Sequence, residues 1–219
     1  MKDLIFNGEN FNIEIYRKNS SQYEVIKGGE LLGIFPNERT AGIAAFKACN
    51  FEGEYYIHTS TYARYAAGSL DGDAIGIDNT INEETFYELV HMRFLDEYLR
   101  NSLEPMYQDT DLPEAIVSES HIDFEKLADF LELDENERDI CTEYWEECDS
   151  KTGVAQILDY YFYTFSGEHD HNEEFGEYLA LECDCINIPD NIQPYFDFAR
   201  YGRDALYDFR TTTNYVFTY

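Results

Sequence analysis

From Phe11 to Arg17 the chain alternates apolar and polar side chains, the period of a half-buried strand. Tyr23–Ile26 and Leu31–Phe35 flank Gly28-Gly29, which predicts a hairpin. Asn37–Cys49 then reads as a helix with Ile43, Ala45 and Phe46 on its apolar face, so residues 1–53 form a small ββ(β)α module ending at Phe51-Glu52-Gly53. A second module opens with a strand at Glu54–His58, where Tyr55, Ile57 and Thr59 alternate. A loop at Ala63–Gly68, a turn at Leu70–Asp73 and a strand at Ala74–Ile77 come next. Glu83–Asn101 predicts a long helix with Phe86, Leu89, Val90, Phe94 and Tyr98 on one face, Asn82 as its cap and Glu83 and Glu84 on its first turn. Pro105 and Pro113 bound an extended stretch.

From Ser118 onward the period is mostly helical. Helices are expected over Asp123–Leu131, Asp134–Cys148, Thr152–Phe165 (ending at Gly167) and Glu173–Leu181, with one or two more over Pro189–Tyr207. In Asp134–Cys148 the apolar stripe is Ile140, Cys141, Tyr144, Trp145 and Cys148. A strand over Thr212–Tyr219 closes the chain. The pattern predicts an α+β protein of small modules, 1–53, 54–116, 117–166 and 167–219, the third of them helical and acidic, without internal repeats.

Charge changes this picture most. The formal net charge is −30 over 219 residues. Residues 1–53 hold seven acids and six bases, a net of −1, whereas residues 54–219 hold 38 acids and nine bases, a net of −29. Between Glu104 and Asp190 there are 26 acids and three bases, Lys126, Arg138 and Lys151. Such imbalance costs stability through self-repulsion. A partner that normally holds a polyanion would make that cost worthwhile.

Acidic disordered chains are poor in aromatics, because they cannot bury enough apolar surface to offset the entropy of ordering. Here 19 Tyr and 16 Phe accompany 44% hydrophobic residues, so the chain should fold. Five cysteines without a framework of spacings point to free thiols and a reducing compartment. The N-terminal stretch lacks the apolar core of a secretory signal, and no run of about 18 apolar residues occurs, so a cytoplasmic location is expected.

Residues 132–149 hold nine acids and one base. If all eighteen were helical they would span about 27 Å, or roughly one net charge per 3.4 Å, close to the spacing along one phosphate strand. By the same density, the 29 net charges of residues 54–219 match about 49 Å of duplex axis. Ordinary solvated helices alternate signs and gain from Glu/Lys pairs at i,i+4, which this chain forgoes almost everywhere. The candidate phosphate-mimicking carboxylates are Asp109, Asp111, Glu132, Asp134, Glu135, Glu137, Asp139, Glu143, Glu146, Glu147, Asp149, Glu168, Asp170, Glu173, Glu174 and Glu177.

Other chemistry is poorly supported. His169-Asp-His171 and Cys183-Asp-Cys185 lack the spacing of structural zinc sites. Asp71-Gly-Asp73 lacks the twelve-residue ligand series of a calcium loop. Paired carboxylates suited to glycoside hydrolysis occur everywhere in so acidic a chain and single out nothing. No nucleophile elbow, P-loop or dinucleotide fingerprint is present. No metal, cofactor or catalytic residue is expected, and an enzyme is disfavoured.

Several stretches together resemble the ArdA-type antirestriction proteins. In Tyr56–Gly72, the residues Thr61, Tyr62, Tyr65, Gly68, Leu70 and Gly72 fit the pattern TYxxYxxGxLxGxW, with Ala74 where that pattern has Trp. Met106-Tyr107-Gln108-Asp109 is similar to MFQDYEGFP, its second half changed to Thr-Asp-Leu-Pro113. Residues 165–178 resemble YxGxYxSxEEFAxxY, and Ile188–Ala205 resembles IPxxLxxYFDYExxARDL. The resemblance covers about three-quarters of the chain and leaves out residues 1–53. It implies an elongated chain of small α+β modules that dimerises, mimics bent B-DNA and occupies the DNA groove of type I restriction-modification enzymes.

The expected mechanism is competitive occupancy, with carboxylates standing in for phosphates and no bond made or broken. Nucleic acid and acidic membrane surfaces should be repelled. Tyr195, Phe196, Phe198 and Tyr201 are candidates for module core or dimer contact. Arg200 and Arg203 are candidates for ion pairs with Asp197 or Asp204, or with a second subunit. The competing readings are an inhibitor of another DNA-binding protein such as a CRISPR nuclease, a chaperone of basic proteins, a calcium buffer or salt-adapted protein, and a hydrolase. Salt adaptation would also have acidified residues 1–53.

Overall fold

In the computed structural model the fold is described for residues 2–61, 74–108, 110–167, 169–183 and 185–219. The chain is α+β, with small antiparallel sheets and eight α-helices among the described residues. It divides into two compact units, Met1–Leu131 and Glu132–Tyr219.

The first unit begins with a four-stranded antiparallel meander of β1 (Asp3–Gly8), β2 (Ile13–Asn19), β3 (Gln22–Lys27) and β4 (Glu30–Phe35). The predicted β3–β4 hairpin is present. Gly28 and Gly29 have φ of 58° and 84°, and a two-residue turn with both φ positive suits the right-handed twist of the flanking strands. Helix α1 (Glu38–Cys49) is capped by Asn37, whose side chain accepts from the Thr40 backbone N–H at 2.9 Å. Ile13, Ile15 and Val25 are fully buried with Ala41 and Ala45 of α1.

The module of residues 1–53 has a strand more than the pattern predicted. β1 is irregular, with a register shift between Leu4 and Phe6, and this breaks the alternation that would have marked it. The module packs tightly on the remainder of its unit: a Cβ on Gly42 of α1 would stand 2.3 Å from the Met92 carbonyl oxygen.

A three-stranded sheet comes next, with β5 (Tyr55–Thr61) between β6 (Ala74–Ile77) and β7 (Pro105–Gln108). The predicted loop at Ala63–Gly68 and the turn at Leu70–Asp73 lie outside the described residues. The helix expected over Glu83–Asn101 is two helices, α2 (Glu83–Arg93) and α3 (Leu95–Tyr98). Asn82 and Thr85 form a reciprocal capping box at the start of α2. The break falls at Phe94 (φ −115°, ψ 38°). Met92, Arg93, Phe94 and Leu95 are all buried, and four consecutive residues cannot share one face of a straight helix. A minimal hairpin, β8 (Val117–Ser118) and β9 (His121–Ile122), precedes α4 (Phe124–Leu131). Phe86 centres this core, with ring centroids 5.8 Å from Tyr107 and 5.6 Å from Phe124.

The second unit holds α5 (Glu135–Glu147), α6 (Val154–Tyr160) and β10 (Tyr161–Thr164). Beyond them lie α7 (His171–Glu177) with a π turn at Tyr178–Glu182, then α8 (Phe198–Leu206), β11 (Arg210–Thr211) and β12 (Tyr215–Phe217). The helix predicted over Thr152–Phe165 ends at Tyr160. Residues Tyr161–Thr164 form a strand because β12, some fifty residues on, supplies the partner that three aromatics and a Thr favour. In Pro189–Tyr207 a single 3₁₀ turn (Gln193–Tyr195) comes before α8, which Asp197 caps by accepting from the Arg200 N–H. Phe165, Phe175, Leu179 and Val216 form the core here, ringed by Phe162, Tyr163, Tyr178, Tyr201 and Phe209.

The five cysteines are free thiols. Burial pushes Cys49 up to about 11 and Cys141 up to about 12, so neither is a reactive thiolate. Among the described residues no helix is long and apolar enough to cross a membrane.

Candidate partner-binding surface

Helix α5 concentrates the candidate carboxylates. Its start is written by two of them: the Glu137 N–H donates to Asp134 at 2.9 Å, and the Asp134 N–H donates to the Glu137 carboxylate at 3.1 Å. Its inner face is Ile140, Cys141, Tyr144 and Trp145, all buried. The Trp145 indole N–H donates to the Thr152 carbonyl at 2.8 Å, and the Tyr144 ring meets Phe217 edge-on at 4.8 Å. Arg210 donates to the Tyr144 hydroxyl at 3.0 Å, which occupies one of the chain's few bases inside its own unit.

The outer face is acidic. Glu135, Asp139, Glu143 and Glu146 recur every three or four residues and share one side of the helix. From the first to the last is about 16 Å of rise. The helix is thirteen residues long, not eighteen, so it spans about 20 Å. It carries six acids and one base, roughly one net charge per 4 Å, somewhat sparser than the sequence arithmetic gave.

Like charges at i,i+4 each cost about 0.2–0.5 kcal/mol. Glu146 and Glu147 stand in the last turn, where no base is present, and face the negative end of the helix dipole at about 0.3–1 kcal/mol each. Nothing in the local fold rewards this placement of Asp139 and Glu146.

The nine acids of residues 132–149 divide into two kinds. Glu132, Glu135, Asp139 and Glu146 are exposed and make no hydrogen bond or ion pair among the described residues. The others also build structure. Glu143 accepts from the Asn214 backbone N–H at 2.5 Å and its side-chain amide at 2.7 Å, and Glu147 accepts from Thr213 at 2.8 Å. Together they pin the turn between β11 and β12. Asp149 accepts from the Lys151 N–H at 3.0 Å and the Thr152 hydroxyl at 3.2 Å, and these bonds hold its carboxyl below the usual range.

Around α7, Asp170 caps the helix by accepting from the Asn172 N–H at 3.0 Å, and Glu173 and Glu177 point to solvent. Glu174 does not. It is buried, and its carboxylate accepts from the Ser166 N–H and hydroxyl, both at 2.7 Å, and from the His169 N–H at 2.9 Å. Burial alone would raise its pKa; those bonds outweigh it and hold the carboxyl below its ordinary value. Asp111 is exposed in the first unit, while Asp109 and Glu168 lie outside the described residues.

Exposed acids that the sequence pattern did not single out include Glu125 and Asp129, at i,i+4 on the outer side of α4. The same spacing that marked α5 marks them. The base within α4, Lys126, is mostly buried and 3.9 Å from Asp123.

Among the C-terminal aromatics, Tyr195 is 86% exposed. Phe196, Phe198 and Tyr201 are half-buried, with Phe196 5.0 Å from Phe198 and 5.8 Å from Tyr201 between ring centroids. Arg203 is exposed and donates twice to Asp204, at 2.7 and 3.0 Å. His171 stacks on Phe165 at 4.0 Å, and among the described residues no group of three His, Cys, Asp or Glu side chains is placed to hold a metal ion.

Residues 56–217 match the family model described as antirestriction protein (ArdA). No curated protein matches the chain.

Proposed function

The chain belongs to the ArdA antirestriction family, whose members are inhibitors rather than enzymes, and we propose that it works by competitive occupancy of the DNA-binding groove of a type I restriction-modification enzyme. The carboxylates of α5, with Glu132, Asp170, Glu173, Glu177 and Asp111, stand in for phosphates and meet the groove's Lys and Arg side chains. Glu174 is left out of that set, because its carboxylate is spent on the loop before α7. The observation that carries this reading is the outer face of α5. Four carboxylates are held there at helical spacing, and two of them, Asp139 and Glu146, have no hydrogen bond or ion pair among the described residues and stand in its middle and last turn at a cost in stability that a basic partner would repay. Complementary fields should speed encounter, and salt should weaken binding. The exposed Tyr195 and its half-buried neighbours Phe196, Phe198 and Tyr201 offer an apolar contact for a homodimer acting in the cytoplasm of the bacterial host.

The direct test is DNA cleavage by a purified type I enzyme with and without the protein. Inhibition is expected. At constant salt it should weaken strongly when Glu132, Glu135, Asp139, Glu146, Glu173 and Glu177 are changed together to their amides, six exposed positions whose side chains make no hydrogen bond or ion pair among the described residues. Unchanged inhibition by that variant would remove these residues from the contact surface. Inhibition of a different basic nuclease, with the type I enzyme unaffected, would move the target.

A further inference from the structure

The N-terminal sheet ends in an unguarded edge. Among the described residues β4 pairs with β3 alone, so its other side presents unpaired backbone N–H and C=O groups. Sheet edges are ordinarily protected by Lys, Pro or inward charges. β4, Glu30-Leu-Leu-Gly-Ile-Phe35, has none of these within it, and Leu31, Leu32 and Ile34 are 56%, 46% and 51% exposed. The one protective feature is a bulge that leaves Leu32 without an opposite residue on β3. The other edge differs: beside β1, Lys2 is bound to Glu24, and Asp3 lies 3.7 Å from Arg17.

We propose that β4 pairs antiparallel with β4 of a second copy of this chain, joining two sheets into one, at a contact separate from the one offered by the Tyr195 cluster. Three observations commit the edge to that occupant. The strand is self-complementary: antiparallel pairing centred between Leu32 and Gly33 sets Leu31 opposite Ile34 of the second copy. Both already share one face of the sheet, Leu31 beside Ile26 and Ile34 beside Glu24, away from the buried row of Ile15 and Val25. The single charge of the strand is compatible with the pairing. Glu30 falls opposite Phe35, and the two Glu30 carboxylates stand about 17 Å apart at opposite ends. The module as a whole is nearly neutral, −1 against −29 for the rest, so this is where two copies of a chain of net charge −30 meet with least repulsion. Nucleic acid or an anionic membrane would be repelled by a chain of net charge −30. This pairing is independent of how the acidic units act on an enzyme.

Sedimentation velocity of the full chain at about 50 and about 500 mM NaCl reads the proposal. Association should strengthen as salt screens the repulsion between copies, and Leu32→Lys/Ile34→Lys should raise the dissociation constant by at least about tenfold. A wild-type chain that stays monomeric at both salts overturns the pairing. So does an association that the double variant leaves unchanged, including one lost only on substituting Tyr195. A register readout does not depend on that variant folding. Leu31→Cys/Ile34→Cys should yield, on mild oxidation, an intermolecular link between positions 31 and 34, since directly opposed residues on antiparallel strands lie within disulfide reach. Peptide mass spectrometry that finds no such link, or finds 34 joined to 34, overturns the register.

Discussion

Gly202 lies so close to Asn172 that a Cβ on it would stand 1.9 Å from the Asn172 carbonyl oxygen. The contact is mutual between α7 and α8, because a Cβ on Gly176 would stand 2.0 Å from the Phe198 carbonyl oxygen. Backbone rather than a flexible side chain is what each would strike, so neither helix can yield without moving as a whole. Gly202→Ala should therefore cost about 2 kcal/mol or more. Chemical denaturation of the purified variant measures the loss. A variant as stable as the wild type would mean that the two helices can separate without cost.

The outer face of α5 should show stability and function pulling apart. Changing Asp139 and Glu146 to their amides removes repulsion along the stripe and an acid from the last turn of the helix, while Glu135 is kept because the first turn favours an acid. The variant should be more stable by about 0.5–1 kcal/mol while inhibiting DNA cleavage less. Glu143→Gln should do the reverse to the fold, since its carboxylate accepts two bonds from Asn214. Thermal unfolding of the variants beside their inhibition curves decides the matter. If the double variant is less stable than the wild type, those two carboxylates serve the fold.

What was legible in the sequence was mostly local. Asn37, Asn82 and Asp134 announce helix starts, and each is a cap in the structure. Gly28-Gly29 announces a turn because few other pairs tolerate two positive φ values. The failures needed a distant partner or an irregular strand. Tyr161–Thr164 reads as helix until Tyr215–Phe217 is there to pair with it, and β1 is hidden by its register shift. For the surface, the sequence shows that acids are abundant but not which are spent indoors. Glu173 and Glu174 are neighbours of identical chemistry, one in solvent and one buried under Ser166 and His169. Only the loop geometry separates them.

Glu174 also sets a pH dependence. Its pKa is held below the ordinary 4.5 in the folded protein by the Ser166 and His169 bonds, against the opposing effect of burial. The unfolded chain then binds a proton at higher pH than the folded chain does. The stability this carboxylate contributes is complete above about 4.5 and drains away as pH falls through the lower folded value. Glu174→Gln should be less stable than the wild type near neutrality, and the two should converge in acid. Denaturation midpoints between pH 7 and pH 3 test this, and a constant difference across the range would show that Glu174 acts by packing alone.

Salt should move stability and binding in opposite directions. A chain of net charge −30 repels itself when compact, and added ions screen that repulsion. Attraction between the carboxylates and a basic groove is screened by the same ions. Raising NaCl from about 50 to about 300 mM shortens the Debye length from about 14 to about 6 Å, so the unfolding midpoint should rise as affinity for the enzyme falls. The two effects have one origin and should shrink together in the six-amide variant, which retains less of both the repulsion and the attraction. An affinity that holds steady over this range while the midpoint climbs would mean that the contact with the enzyme is apolar, and that the acidic surface serves something other than imitation of DNA.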